Sequence, residues 1–294
     1  MRPRQWTKNA FVFAALILTG ELGNPAPTRA SVVAFLVFCA VSSAVYLLND
    51  LVDVRQDRLH PEKRYRPLAA GELDPVAALA ASVALALGGL WAGFQVRPQL
   101  GLVVAAYLAL QVGYTFVLKH FVIVEVLAIA GGFVLRVLAG GVAIGRPVMP
   151  YLYLSMIFLA LFQGFSKRRH ELRVLAEAAG EHRQSLSDYT VEYLDHLIVI
   201  AATATIMTYS LYAINSPARP PGISANMLLL TIPFVLFAVF RYLYLIQVEG
   251  KGGTPEDILL RDVPLLLDVL GWVTALLVIL YLLPHLLTRS GGFP

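Results

Sequence analysis

The chain has 294 residues, 58% of them hydrophobic and only 14% charged, with a formal net charge of +4 and a mean hydropathy of +0.70. Soluble domains carry roughly a quarter charged residues, so this composition excludes an ordinary soluble globule and places the chain in a membrane. The single cysteine, Cys39, lies within an apolar run, which excludes an intramolecular disulfide or a thiolate metal site and leaves a small hydrophobe.

Apolar runs at 9–22, 30–48, 76–94, 99–117, 122–142, 150–165, 194–214, 225–248 and 263–287 predict about nine transmembrane helices, because roughly 17 to 25 residues cross a bilayer core. The first and sixth runs are short. A signal peptide at the N-terminus is disfavoured, since no small-x-small cleavage site follows the first apolar stretch. With nine spans, one side collects Lys8, the cluster Arg55, Arg58, Lys63, Arg64 and Arg66, then Lys119, the run Lys167 to Arg169, Arg183, Lys251 and Arg261. The other side keeps Arg29, Arg97, Arg146, Arg219 and Arg289, so the crowded side is predicted to be cytoplasmic.

The 30–48 run carries no charge, yet Asn49, Asp50, Asp53 and Asp57 follow at its end. Asn49, Asp53 and Asp57 are four apart and are expected to share one helical face. Stacked oxygen ligands suit Mg²⁺, which takes one or two carboxylates and completes its shell with substrate phosphate. Lys63, Arg64 and Arg66 follow closely enough to neutralise a diphosphate.

Tyr114 and Lys119 close the fourth span and offer a phenol and a cation to an anionic headgroup. Glu125 and Arg136 lie inside the fifth span, eleven residues apart. Ionisable groups at such depth are costly and face an interior, so both are expected to point into one bundle interior, with Arg136 functional. The run Lys167-Arg168-Arg169-His170-Glu171 ends the sixth span, and His182, Arg183, Tyr189, Glu192 and Asp195 follow. Topology alone accounts for two of those cations, whereas a polar segment of this length with interleaved acids reads as a phosphate cradle. His170 and His182 lack metal-ligand spacing. Arg241 sits near Tyr242 and Tyr244, and Thr254 with Asp257 reads as the cap of a short connector helix. No P-loop, dinucleotide fingerprint or nucleophile elbow is present. The polar segments 49–71 and 166–195 hint at two related halves within one domain spanning 1–294.

Four stretches carry a resemblance to a known family: Arg2-Pro3-Arg4-Gln5-Trp6-Thr7-Lys8-Asn9, Asn49-Asp50-x-x-Asp53-x-x-x-Asp57, Lys167-Arg168-Arg169-x-Glu171-Leu172 and Arg261-Asp262-x-Pro264-Leu265. Together they resemble the UbiA-type intramembrane prenyltransferases, and among them the decaprenyl-phosphate phosphoribosyltransferase branch. That resemblance implies an all-α polytopic membrane protein of about nine helices in a UbiA-like bundle, with a cytoplasm-facing active site in a bacterial plasma membrane. It implies a Mg²⁺-dependent enzyme that transfers 5-phosphoribosyl from phosphoribosyl pyrophosphate to a polyprenyl phosphate, such as decaprenyl phosphate, with loss of pyrophosphate. Asn49, Asp53 and Asp57 would hold the metal, and Asp50, Lys63, Arg64 and Arg66 the donor. Lys8, Tyr114, Lys119, Arg136, Lys167, Arg168 and Tyr189 would steer the phosphates. Where the wider family has a second Asp-rich motif, this chain is dominated by Lys and Arg, which favours a second anionic substrate held by cations. The competing expectations are a prenyl diphosphate donor on the same fold, and a transporter whose path Glu125 and Arg136 line. No nucleic-acid partner is expected, and a homo-oligomer is left open.

Overall fold

The computed structural model describes residues 3–59, 63–177, 189–216, 227–251, 255–284 and 286, and every regular element among them is helical. A 3-10 stretch Pro3–Val12 runs into α1 (Phe13–Leu18); α2 (Pro25–Val52), α3 (Val54–Leu59), α4 (Pro75–Val96) and α5 (Pro98–Phe116) follow. Then come α6 (Val124–Ile144), α7 (Pro150–Glu177), α8 (Val191–Asn215), α9 (Ile232–Gln247), α10 (Pro255–Arg261) and α11 (Val263–Leu277), which continues as a wider π turn over Val278–Leu282. Proline opens several of these helices, where its missing N–H costs nothing. Asp74, Thr190 and Asp262 cap α4, α8 and α11 by accepting from the backbone N–H of Ala77, Tyr193 and Leu265.

Among the described residues, 7 helical stretches are long and apolar enough to cross a membrane. The other two expected runs take different forms. The 9–22 run is split between the 3-10 stretch and the six-residue α1. The 150–165 run is the first part of the 28-residue α7, which continues through Lys167, Arg168 and Arg169 without a break. Leu36, Leu87, Trp91, Leu102, Ile200 and Phe240 stand exposed on spanning helices, as suits side chains whose solvent is lipid.

Two compact units make up the chain. The first comprises Met1–Leu16, Glu21–Lys119 and Leu135–Pro147; the second comprises Ile17–Gly20, His120–Val134 and Val148–Pro294. In the first, α2 packs along α4, α4 along α5, and the N-terminal 3-10 stretch against α2. Its core gathers Val12, Phe38, Val41, Leu100, Val104, Tyr107 and Ala139. Close approach there depends on glycine: a Cβ at Gly140 would lie 1.9 Å from the Val12 carbonyl oxygen. In the second unit α7 packs along α8, and α9 along α8 and α11, around Phe162, Leu194, Ile198, Tyr242, Leu245 and Leu265. Segment 49–71 belongs to the first unit and segment 166–195 to the second.

Candidate active site

In the first unit α2 ends at Val52 and α3 begins at Val54, so the helix is interrupted at Asp53. Asp53 (φ −92°, ψ 6°) still donates its backbone N–H to Asn49 at 2.9 Å, and Asp57 donates to the Asp53 carbonyl at 2.8 Å. The three residues keep their spacing of about one turn, but their side chains part company. Asn49 Oδ1 accepts from Thr115 Oγ1, itself 2.8 Å from the Gln111 carbonyl. Asp53 Oδ1 receives Lys119 Nζ at 2.9 Å. Arg66 Nη1 donates to Asp50 at 3.1 Å and to Asp57 at 2.5 Å. The pair converging on one cation is therefore Asp50 with Asp57, and Asp57 is only 4% exposed.

The loop behind this pair is anchored by the burial of Leu68 and Ala69 and by a bond of 3.2 Å from Arg58 Nε to the Ala69 carbonyl. Gly71 closes it at φ +80°, a conformation glycine adopts without penalty. Arg64 and Lys63 stand exposed on a short 3-10 turn, Arg64 lying 4.8 Å over the Tyr65 ring. Lys8 and Tyr114 are half-buried. Among the described residues, no three His, Cys, Asp or Glu side chains form a metal cage. The donor chemistry nonetheless fits Mg²⁺, since the ion needs one or two carboxylates when substrate phosphate supplies the rest. Asp50 and Asp57 already turn hard oxygens toward one positive centre, the Arg66 guanidinium.

Deeper in the same unit, Arg136 donates from Nε to Asn9 Oδ1 and from Nη2 to the Tyr107 hydroxyl, each at 2.8 Å. Asn9 in turn donates to Ser42 Oγ at 3.1 Å. Tyr107, Gln111 and Thr115 are four apart on α5, so one helix face carries the partner of Arg136 at one end and the partner of Asn49 at the other.

In the second unit the fully buried Glu125 meets Arg168 Nε at 3.0 Å, and Arg168, 2% exposed, also bonds Glu171. Glu125 and Arg136 each engage partners in their own unit, because eleven residues of helix α6 carry Arg136 into the first unit and leave Glu125 in the second. Lys167 is 44% exposed and 3.9 Å from Glu171, the looser of the two basic neighbours. Arg169 is structural: it donates to Asp195 at 2.5 Å and to the Ile246 carbonyl at 2.8 Å, tying α7 to α8 and α9.

The buried Tyr189 hydroxyl accepts from the Ile123 N–H at 2.6 Å. Burial pushes this phenol above its ordinary pKa, which keeps it neutral. Ile123 has φ +68°, alone among the described non-glycine residues, and Val124 N–H bonds the Val122 carbonyl at 2.7 Å across it. That is a γ-turn centred on a β-branched residue, a conformation that costs on the order of 1–3 kcal/mol. Nothing in the sequence marks Ile123 as special.

Sequence reasoning also missed the pair of Arg241 and Asp262, bonded at 3.1 and 2.7 Å while Asp262 caps α11. The Arg241 guanidinium, with help from the Leu265 N–H, holds the Asp262 carboxyl below its usual range. Thr254, His182 and Arg183 lie outside the described residues.

Residues 9–251 match the UbiA prenyltransferase family. A decaprenyl-phosphate phosphoribosyltransferase of Mycobacterium tuberculosis is 39% identical over 279 residues, which cover 93% of this chain and 90% of that protein. The protein of the same name from Corynebacterium glutamicum is 35% identical over 288 residues, 97% of this chain and 86% of its own. Among solved structures, a UbiA homolog from Archaeoglobus fulgidus bound to DMAPP and Mg²⁺ shares the fold at a TM-score of 0.70 and 16% identity, covering 94% of this chain and 96% of that one. This family is enzymatic, which removes the transporter reading. With its apolar helices and a match running nearly end to end, this chain is a multi-pass membrane protein that belongs to the UbiA prenyltransferase family.

Proposed function

We propose that the chain transfers the 5-phosphoribosyl group of phosphoribosyl pyrophosphate to a polyprenyl phosphate and releases pyrophosphate, acting as one domain over 1–294. Identity to two phosphoribosyltransferases over almost the whole length carries this reading, and the chemistry of the residues supports it. A lipid phosphate oxygen attacks the anomeric carbon as the bond from that carbon to the pyrophosphate oxygen breaks. The nucleophile is already ionised near neutral pH, so no strong general base is required. Mg²⁺, when bound, neutralises charge growing on the leaving group.

The Asn49, Asp50, Asp53 and Asp57 oxygens are the donors for that ion. Arg66 and Lys119, set against Asp50, Asp57 and Asp53, are the cations near enough to hold diphosphate oxygens, and those carboxylates would be the ones to hold the metal. Lys63 and Arg64, both exposed, extend this positive surface. In the second unit the exposed Lys167 contacts the lipid phosphate, and the buried Arg168 holds its local geometry through Glu125 and Glu171. Lys8, Tyr114 and Arg136 stay assigned to the phosphates of the two substrates. The active site faces the cytoplasm of a bacterial plasma membrane, and the two short runs at 9–22 and 150–165 complete nine spans.

Purified protein incubated with ribose-labelled phosphoribosyl pyrophosphate, polyprenyl phosphate and Mg²⁺ is expected to move label into the lipid extract. No labelled lipid overturns the proposal, and product formed instead from a prenyl diphosphate supports the competing donor.

A further inference from the structure

We propose that the Tyr189 hydroxyl is a positioning group: it holds the strained turn at Ile123 and through it sets Glu125 and Arg168. The kinetic part of this proposal rests on the phosphoribosyltransferase reading.

A β-branched residue at φ +68° has no intrinsic preference for that conformation, so the surroundings must impose it. Two bonds do so here, the Val124 N–H to the Val122 carbonyl at 2.7 Å and the Ile123 N–H to the Tyr189 hydroxyl at 2.6 Å. The second is the long-range one, reaching 66 residues along the chain. Val122 and Ile123 also pack against the apolar core of the second unit, which contains Tyr189. Helix α6 starts directly after the turn. The Glu125 N–H bonds the Phe121 carbonyl at 3.1 Å, and the Ile123 carbonyl accepts from Val126 and Leu127 at 3.0 and 2.9 Å. The turn therefore fixes where the first residues of α6 point. Glu125 is one of them, and its carboxylate receives the buried Arg168 at 3.0 Å. A phenol that is buried and committed to a backbone N–H acts through the turn rather than on substrate.

A double-mutant cycle between Tyr189→Phe and Ile123→Gly tests this, because glycine adopts positive φ without strain and no longer needs the hydroxyl. In the parent protein Tyr189→Phe is expected to raise KM for polyprenyl phosphate about tenfold, the effect of one hydrogen bond, with kcat within about twofold. In the Ile123→Gly background the same substitution is expected to change KM by less than about twofold. Referring each effect to its own background removes the packing lost with the isoleucine side chain. Unfolding midpoints in detergent are expected to fall in both backgrounds, because the residue-123 N–H loses its partner in each, and to fall further with isoleucine, where the strained φ also loses its support. An equal penalty in both backgrounds, or none in either, overturns the proposal, and coupling in the midpoints without coupling in KM overturns the step from turn to Arg168. A parent protein that makes no labelled lipid overturns the phosphoribosyltransferase reading instead, and the midpoints alone then decide the link between hydroxyl and turn.

Discussion

Asp57 and Asp53 occupy different environments although they are one turn apart. Asp57 is buried against Arg66 at 2.5 Å, whereas the Asp53 side chain is 25% exposed and held by Lys119 at 2.9 Å. Both carboxylates are balanced by cations on the same unit, so removing either disturbs charge at the proposed metal position without opening an apolar cavity. Asp53→Ala and Asp57→Ala are each expected to lower kcat by at least about a hundredfold, comparable to losing a preorganised electrostatic contact. The measurement is turnover of detergent-purified protein that elutes as the parent does, and near-normal turnover in both variants removes the metal position. The sequence placed these acids at a helix end correctly because an uncharged run precedes them. The partners of these oxygens were not legible there, because Thr115 and Lys119 come from α5 and its exit and Arg66 from the loop after α3.

Among elements, the N-terminal 3-10 stretch and α6 approach so closely that backbone meets backbone. At Gly140 a new Cβ would meet the Val12 carbonyl oxygen, which no side-chain rotation can move. Gly140→Ala is expected to destabilise the protein by about 3 kcal/mol. Gly88, with nothing within 4 Å of its Cβ position, is the control, and Gly88→Ala is expected to be neutral or stabilising by up to about 1 kcal/mol; chemical unfolding monitored by tryptophan fluorescence checks both. The start of α11 adds a pH dependence. Asp262 has a folded pKa below its unfolded value, which is about 4. Its contribution is therefore complete above pH about 4 and is lost as pH falls through the lower folded value. Asp262→Ala is expected to cost about 1 kcal/mol from the cap at neutral pH and to flatten the acid limb of the unfolding midpoint measured between about pH 5 and 2. An unchanged acid limb contradicts the assignment.

At the scale of the whole molecule, the distribution of Lys and Arg sets the orientation. The loop holding Arg55 to Arg66 is expected in the cytoplasm and the Leu18 to Pro25 turn outside. Because Cys39 is the only cysteine, a Cys39→Ser background retains an acceptor for Asn9 and leaves no native thiol. In it, Glu72→Cys is expected to react with an impermeant maleimide only after the cytoplasmic face is opened, and Gly23→Cys in intact cells. Both positions are exposed, so the opposite pattern reverses the topology. Most of the fold was legible at this scale, since seven of the expected spans appear as long apolar helices. The two short runs diverged for local reasons: residues 9–12 are drawn into a 3-10 stretch packed on α2, and α7 carries its basic cluster on the same continuous helix as its apolar part.

Apolar length and the spacing of charges are one-dimensional quantities, so the sequence by itself determined that this is a polytopic helical membrane protein with its acids at the end of the second apolar run. Which cation answers which carboxylate depends on contacts across tens of residues, and only the packing of helices within each unit decided it. That packing sets Arg66 between Asp50 and Asp57, Lys119 on Asp53, Arg168 on Glu125 and the Tyr189 hydroxyl on a strained turn. In an apolar interior a buried charge or backbone N–H left without a partner is costly, so pairing there is obligatory. The choice of partner is a property of three dimensions.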